Sequence, residues 1–120
     1  MGCSILVVDD SQFIFKAIQS ALEPHGFQII GPALDGQQGV DMAAKVHPDV
    51  IIMDITMPVM DGMEATRRIL SADPSARIIM LSSLGGEEQI RTSRQIGVKY
   101  FLTKPFDPDQ MLKAIAGVLS

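Results

Sequence analysis

Short apolar runs alternate with longer amphipathic stretches five times along the chain. The runs are Ile5-Leu6-Val7-Val8, Phe27 to Ala33, Val50-Ile51-Ile52-Met53, Ile78-Ile79-Met80-Leu81 and Tyr100 to Thr103. They are rich in β-branched residues and mostly lack polar alternation, which predicts strands buried on both faces. Between them the apolar positions return at helical spacing. Ser11 caps a helix with Ile14, Ala17, Ile18, Ala21 and Leu22 inward, stopped by Pro24-His25-Gly26. Gly36 to Val46 predicts a weaker helix with Val40, Ala43 and Ala44 inward, and Asp61 or Gly62 to Ala72 a third. Gly85-Gly86 leads into a polar fourth helix, Glu87 to Ile96, whose large apolar residues are only Ile90 and Ile96. Asp107-Pro108-Asp109-Gln110 combines a capping acid, a first-turn proline and a glutamine three residues after the cap, and opens a helix with Met111, Leu112, Ile115 and Leu119 inward. Five strand-helix alternations in one small unit imply an α/β fold, a parallel sheet covered on both faces with right-handed crossovers.

Length and charge narrow the function classes. At 120 residues the chain makes one domain, residues 1–120, with a genuine core. No apolar run approaches the roughly 18 residues of a membrane span, and no export or lipidation signal opens the chain, so no membrane role is expected. A lone Cys3 fits a reducing compartment, with the cytoplasm as the expected location. A net charge of −4 and a pI near 4.9 argue against nucleic-acid binding by this domain, which needs clustered Lys and Arg.

The ends of the strands carry the chemistry. The first apolar run stops on Asp9-Asp10, the third on Asp54, the fourth on Ser82-Ser83 and the fifth on Lys104-Pro105. In an open parallel sheet all of these fall on one edge, where ligands bind outside the carboxyl ends of the strands. Asp54 alone reads equally well as a loop-capping acid, and the company of the other strand ends decides for function. Three converging carboxylates repel one another, so without a metal at least one has a raised pKa. Mg²⁺ resolves the conflict, because it takes oxygen ligands from one or two carboxylates together with phosphate oxygens. Lys104 adds a fixed positive charge for a second phosphate oxygen, and Ser82 a hydroxyl donor for a third. One carboxylate is then able to attack phosphorus in line and become an aspartyl phosphate.

These motifs in this order, Asp9-Asp10, Asp54 with Met57-Pro58 and Asp61-Gly62, Ser82, and Lys104-Pro105-Phe106, resemble the receiver domain of two-component response regulators, of the CheY-like kind. The likeness covers essentially the whole chain. It implies a flavodoxin-like, doubly wound five-stranded sheet of order 2-1-3-4-5 with five helices. By the same resemblance Asp54 is the phosphoacceptor, Asp10 the direct Mg²⁺ ligand, Asp9 its neighbour acting mainly through water, and the Thr56 backbone carbonyl the remaining protein ligand. Lys104 binds the phosphoryl group, Ser82 is the switch hydroxyl, Phe101 the switch aromatic, and the Lys104-Pro105 bond is cis. The implied phosphodonor is a histidine kinase or phosphotransfer domain, and the implied output is an unidentified partner or a second copy, bound through the fourth helix, fifth strand and fifth helix.

The chain departs from the family pattern at two places. Many receivers carry Arg four residues after the capping Ser, where Phe15 stands, and the switch aromatic is often Tyr where this chain has Phe101. A phenylalanine has no hydroxyl to donate, so coupling through it is by packing alone. Phe13 and Phe15 flank the inward stripe of the first helix, too far apart around it for that face to bury both. One of them is expected to meet the phosphohistidine domain. The leading reading is a phosphorylation-driven switch that catalyses its own phosphorylation and dephosphorylation, and is not a turnover enzyme. Two alternatives stand beside it. One is a receiver cut from a longer regulator with an output domain. The other is a Mg²⁺-dependent phosphohydrolase forming an aspartyl phosphate, though such enzymes of the haloacid dehalogenase type want an acid at the position of Thr56.

Overall fold

Strand and helix alternate in the computed structural model, which describes residues 2–83 and 87–120. The elements are β1 (Ser4–Val8), α1 (Gln12–Leu22), β2 (Gln28–Ala33), α2 (Gly36–Val46), β3 (Val50–Asp54), α3 (Gly62–Ala72), β4 (Ile78–Ser82), α4 (Glu87–Gln95), β5 (Tyr100–Thr103) and α5 (Pro108–Leu119). The five strands form one parallel sheet in the order β2-β1-β3-β4-β5. Every residue of β3 and β4 is buried. Because side chains alternate across a strand, each strand feeds two cores. Leu6, Val8, Ile51, Met53, Ile78 and Met80 pack with Met63, Ala65 and Ile69 of α3 on one face. Ile5, Val7, Ile52, Ile79 and Leu81 pack with Ile18 and Leu22 of α1 and Met111 and Ile115 of α5 on the other.

Helix starts follow the capping chemistry. Ser11 Oγ accepts from the amide of Ile14, Asp35 from Gln38, Asp61 from Glu64 and Asp107 from Asp109, each satisfying an amide that the first helical turn leaves without a partner. None of the described helices is long and apolar enough to cross a membrane.

Several local expectations need correction. β2 begins at Gln28, not Phe27, because Gly26 takes a left-handed conformation (φ 88°) just before it. In α2 Ala44 is exposed, and the buried residues are Gly36 and Gly39. A Cβ on Gly36 meets the Met60 carbonyl and one on Gly39 meets the Val8 side chain, so this helix approaches by lacking side chains. Leu119 is exposed, with Val118 packed in its place. α4 ends at Gln95, leaving Ile96 beyond it, and the buried residue of α4 is Ser93. The Gly85-Gly86 lead-in to α4 lies outside the described residues.

Candidate functional site

Three strand ends and one strand-following loop bring the site together. Asp9 follows β1 directly and is fully buried, with its amide donating to the Ala33 carbonyl and its Oδ1 accepting from the Ser11 amide at 2.9 Å. Asp10, the next residue, is exposed. Asp54 closes β3 and is also buried. Asp9, Asp10 and Asp54 each place a carboxylate oxygen within 4.8 Å of the other two. The chain then doubles back sharply, with the Gly62 amide donating to the Ile55 carbonyl at 2.7 Å. Position 62 must be glycine, because a Cβ there collides with the Asp54 carbonyl.

Lys104 reaches across from the end of β5. Its amide donates to the Ser82 carbonyl at 2.8 Å, and its Nζ lies 2.9 Å from Asp9 Oδ2 and 3.2 Å from Asp54 Oδ1. The peptide bond from Lys104 to Pro105 is cis, as the resemblance implied. Ser82 is buried at the end of β4, on the same sheet face as Met80, and Met80 is paired with Phe101. Thr56 is exposed in the loop two residues past Asp54.

Electrostatics follow from this packing. Burial pushes the Asp54 carboxyl above the ordinary carboxylate range, the charge of Asp9 pushes it further, and Lys104 pulls back. Burial alone lowers the basicity of Lys104, but its close contact with Asp9 and the charges of Asp54 and Asp9 outweigh it, so the ammonium is held above its usual pKa. The raised carboxyl expected of three converging acids is therefore Asp54.

The donor set fits a hard divalent cation. Asp9 Oδ2 is buried and receives no well-directed hydrogen bond; its partner is the Lys104 ammonium, whose approach supplies charge without good hydrogen-bond geometry. An all-oxygen cluster of three carboxylates beside an open loop is the chemistry that Mg²⁺ accepts while keeping several waters.

Some residues that shape the site carry no sequence signal. Val59, four residues after Ile55, has φ 67°, and the Met60 amide donates to the Pro58 carbonyl across it at 2.7 Å. This is a γ-turn of the rarer, strained kind, at a β-branched residue that is 85% exposed. Ser93 Oγ lies 2.8 Å from the Gln89 carbonyl and 3.1 Å from Met63 Sδ, and the Arg94 guanidinium sits over the Phe101 ring, 5.3 Å from its centroid. Ser93 and Met63 lie 30 residues apart, and Arg94 and Phe101 sit on a helix and on the strand that follows it, so no periodicity announces either pair. Of the two phenylalanines on α1, Phe13 is 79% exposed and Phe15 packs against the core.

Comparison with known proteins agrees with this geometry. Residues 5–116 match the response regulator receiver domain family. The chemotaxis protein CheY of Bacillus subtilis is 40% identical over 120 residues, covering all of both chains. A protein-glutamate methylesterase/protein-glutamine glutaminase of Alkalilimnicola ehrlichii is 43% identical over 109 residues, which are 88% of this chain and 28% of that protein. The crystal structure of a CheX-CheY-BeF3-Mg²⁺ complex from Borrelia burgdorferi superposes with a TM-score of 0.93 at 35% identity, over 98% of this chain and 90% of that one. A sheet order of 2-1-3-4-5, an acidic cluster at its carboxyl edge and full-length similarity converge on one conclusion: the chain belongs to the response regulator receiver domains, the CheY-like signalling family of two-component systems.

Proposed function

We propose that residues 1–120 form a receiver domain in which Asp54 accepts a phosphoryl group from the phosphohistidine of a histidine kinase or phosphotransfer domain, and in which the new charge resets a binding face. The observation that carries this reading is the meeting, at the end of a central strand, of Asp54 with Asp9 and Asp10 within 4.8 Å and with Lys104 at 3.2 Å. An Asp54 carboxylate oxygen attacks phosphorus in line. The new O–P bond forms as the P–N bond breaks, and the electron pair leaves with the imidazole, which takes up a proton. Lys104 balances charge on one phosphoryl oxygen, and Ser82 donates its hydroxyl to another. Asp10, Asp9 and the Thr56 backbone carbonyl, with Asp54, are the residues that would hold Mg²⁺. When bound, Mg²⁺ supplies neutralisation of the remaining phosphoryl charge. Water attacking the same phosphorus breaks the Asp54 O–P bond, returns the electron pair to the carboxylate and releases inorganic phosphate, so one site catalyses both its own phosphorylation and its own dephosphorylation.

The output leaves through α4, β5 and α5 toward a partner protein or a second copy, in the cytoplasm. α4 supports this part of the reading, since Ser93 is its only buried residue and such an element lies at the low-stability end of a fold. Movement of Ser82 toward a phosphorylated Asp54 opens space beside Phe101, because Ser82 and Met80 share a sheet face and Met80 pairs with Phe101. A titration of the isotope-labelled protein with beryllofluoride and Mg²⁺ tests the switch. Amide shifts should spread from Ser82 to Phe106. Shifts confined to the loops around Asp9, Asp54 and Lys104 would show that no switch is coupled to the site.

A further inference from the structure

We infer that Arg94 is a positioning residue of the switch, a cation–π latch that holds Phe101 and α4 in the unphosphorylated arrangement; this rests on the reading of Asp54 as phosphoacceptor. The Arg94 guanidinium lies 5.3 Å from the centroid of the Phe101 ring, within the range over which a cation is attracted to the face of an aromatic. Among the described residues no carboxylate comes within ion-pair distance of Arg94, so the ring is its directional partner. Phe101 lies in the strand that carries Lys104 at its end, and it pairs with Met80, two residues before Ser82. The ring is partly buried and packs against the core face that includes Met80 and Met63.

α4 has little else to hold it. Ser93 is buried and reaches Met63 of α3 through its hydroxyl, and Ile90 is only partly buried. Adjacent residues of one helix thus make two different attachments, Ser93 to α3 and Arg94 to β5. A phenylalanine lacks the hydroxyl with which a tyrosine ring finds a polar partner in a new orientation, but its ring face still attracts the Arg94 cation, so the packing-only coupling expected from the sequence is incomplete at this position. In the arrangement described, Lys104 pairs with the carboxylates of Asp9 and Asp54 while Phe101 pairs with Arg94. A reorientation that carries the ring face away from α4 as Ser82 moves gives up the Arg94 contact. The latch therefore biases the equilibrium toward the resting arrangement, by about two- to five-fold for a cation–π contact at a partly exposed site.

The test is a double-mutant cycle read by beryllofluoride and Mg²⁺ binding, followed by NMR, in wild type, Arg94→Met, Phe101→Leu and the double variant. Arg94 is exposed, so its substitution leaves the core intact. The latch requires that Arg94→Met tighten apparent binding about two- to five-fold when Phe101 is present and leave it unchanged in the Phe101→Leu background. Equal tightening in both backgrounds overturns the proposal, because the effect is then one of general charge, and so does no tightening in either. A wild-type protein that binds no analogue refutes the phosphoacceptor reading itself and the latch with it. A wild type that binds the analogue, paired with an Arg94→Met variant that binds no tighter, refutes the latch alone.

Discussion

Replacing Asp54 with asparagine should stabilise the metal-free protein, although it removes the residue on which the site is centred. Asp54 lies within 4.8 Å of carboxylate oxygens of Asp9 and Asp10, and 3.2 Å from the Lys104 ammonium. At an effective dielectric constant of about 20, each full carboxylate repulsion at 4.8 Å costs about 3.5 kcal/mol, and the attraction to Lys104 at 3.2 Å returns about 5 kcal/mol. Asp10 is exposed and solvent screens its share to roughly half. The charge terms nearly cancel, which leaves the burial of Asp54 as the deciding cost. Asparagine removes that cost, keeps an oxygen for Lys104 and should gain about 1–2 kcal/mol at pH 7.5. The pH dependence has a fixed sign. Because the folded-state pKa of Asp54 is raised, its favourable contribution is present below the unfolded value of about 3.9 and is lost as pH climbs through the folded value. The asparagine variant escapes that loss, so its advantage should be small near pH 4 and full at pH 7.5. Urea unfolding by circular dichroism in the presence of a chelator measures it, since the chain has no Trp. A shift of about 0.5–1 M in the midpoint is expected, given typical urea slopes. An Asp54→Asn protein no more stable than wild type at pH 7.5, or one equally favoured at both pH values, would refute the reasoning.

Three further outcomes follow from the same structure. Val59→Asn should raise stability by about 1 kcal/mol, because Asn tolerates the left-handed conformation and an 85% exposed Val loses no packing; an unchanged urea midpoint argues against strain at that turn. Phe13→Ala should slow phosphoryl transfer from a histidine kinase and leave transfer from a small phosphodonor unaltered, since Phe13 is exposed in the helix turn after Asp9-Asp10 while Phe15 is packed; equal slowing of both would place its role inside the site. Asp10→Ala should weaken Mg²⁺ binding at least tenfold in a calorimetric titration, for loss of a carboxylate donor, and retained affinity would move the metal elsewhere.

The strand ends were legible because burial and chemistry are both written locally. Four of the five strands are apolar runs that stop on a charged or hydroxyl side chain, and the abruptness of Val50 to Asp54 comes from a strand buried on both faces meeting the solvent edge of the sheet. α2 was harder to orient, because it packs through Gly36 and Gly39, residues with no side chain to mark a face. α4 was harder still. Its attachments, Ser93 to Met63 and Arg94 to Phe101, join polar or charged groups to partners on other elements and leave no apolar period to read. Val59 ran against propensity outright, since a β-branched residue is a poor predictor of a left-handed turn.

Phosphorylation mapped to a residue tests the central claim most directly. Wild-type protein incubated with acetyl phosphate and Mg²⁺ should gain one phosphoryl group that is cleaved by hydroxylamine, as an acyl phosphate is. The Asp54→Asn protein, folded by the criterion of its urea transition, should gain none. A hydroxylamine-sensitive phosphate appearing on Asp54→Asn at the wild-type rate would contradict the account and place the phosphoacceptor on another residue.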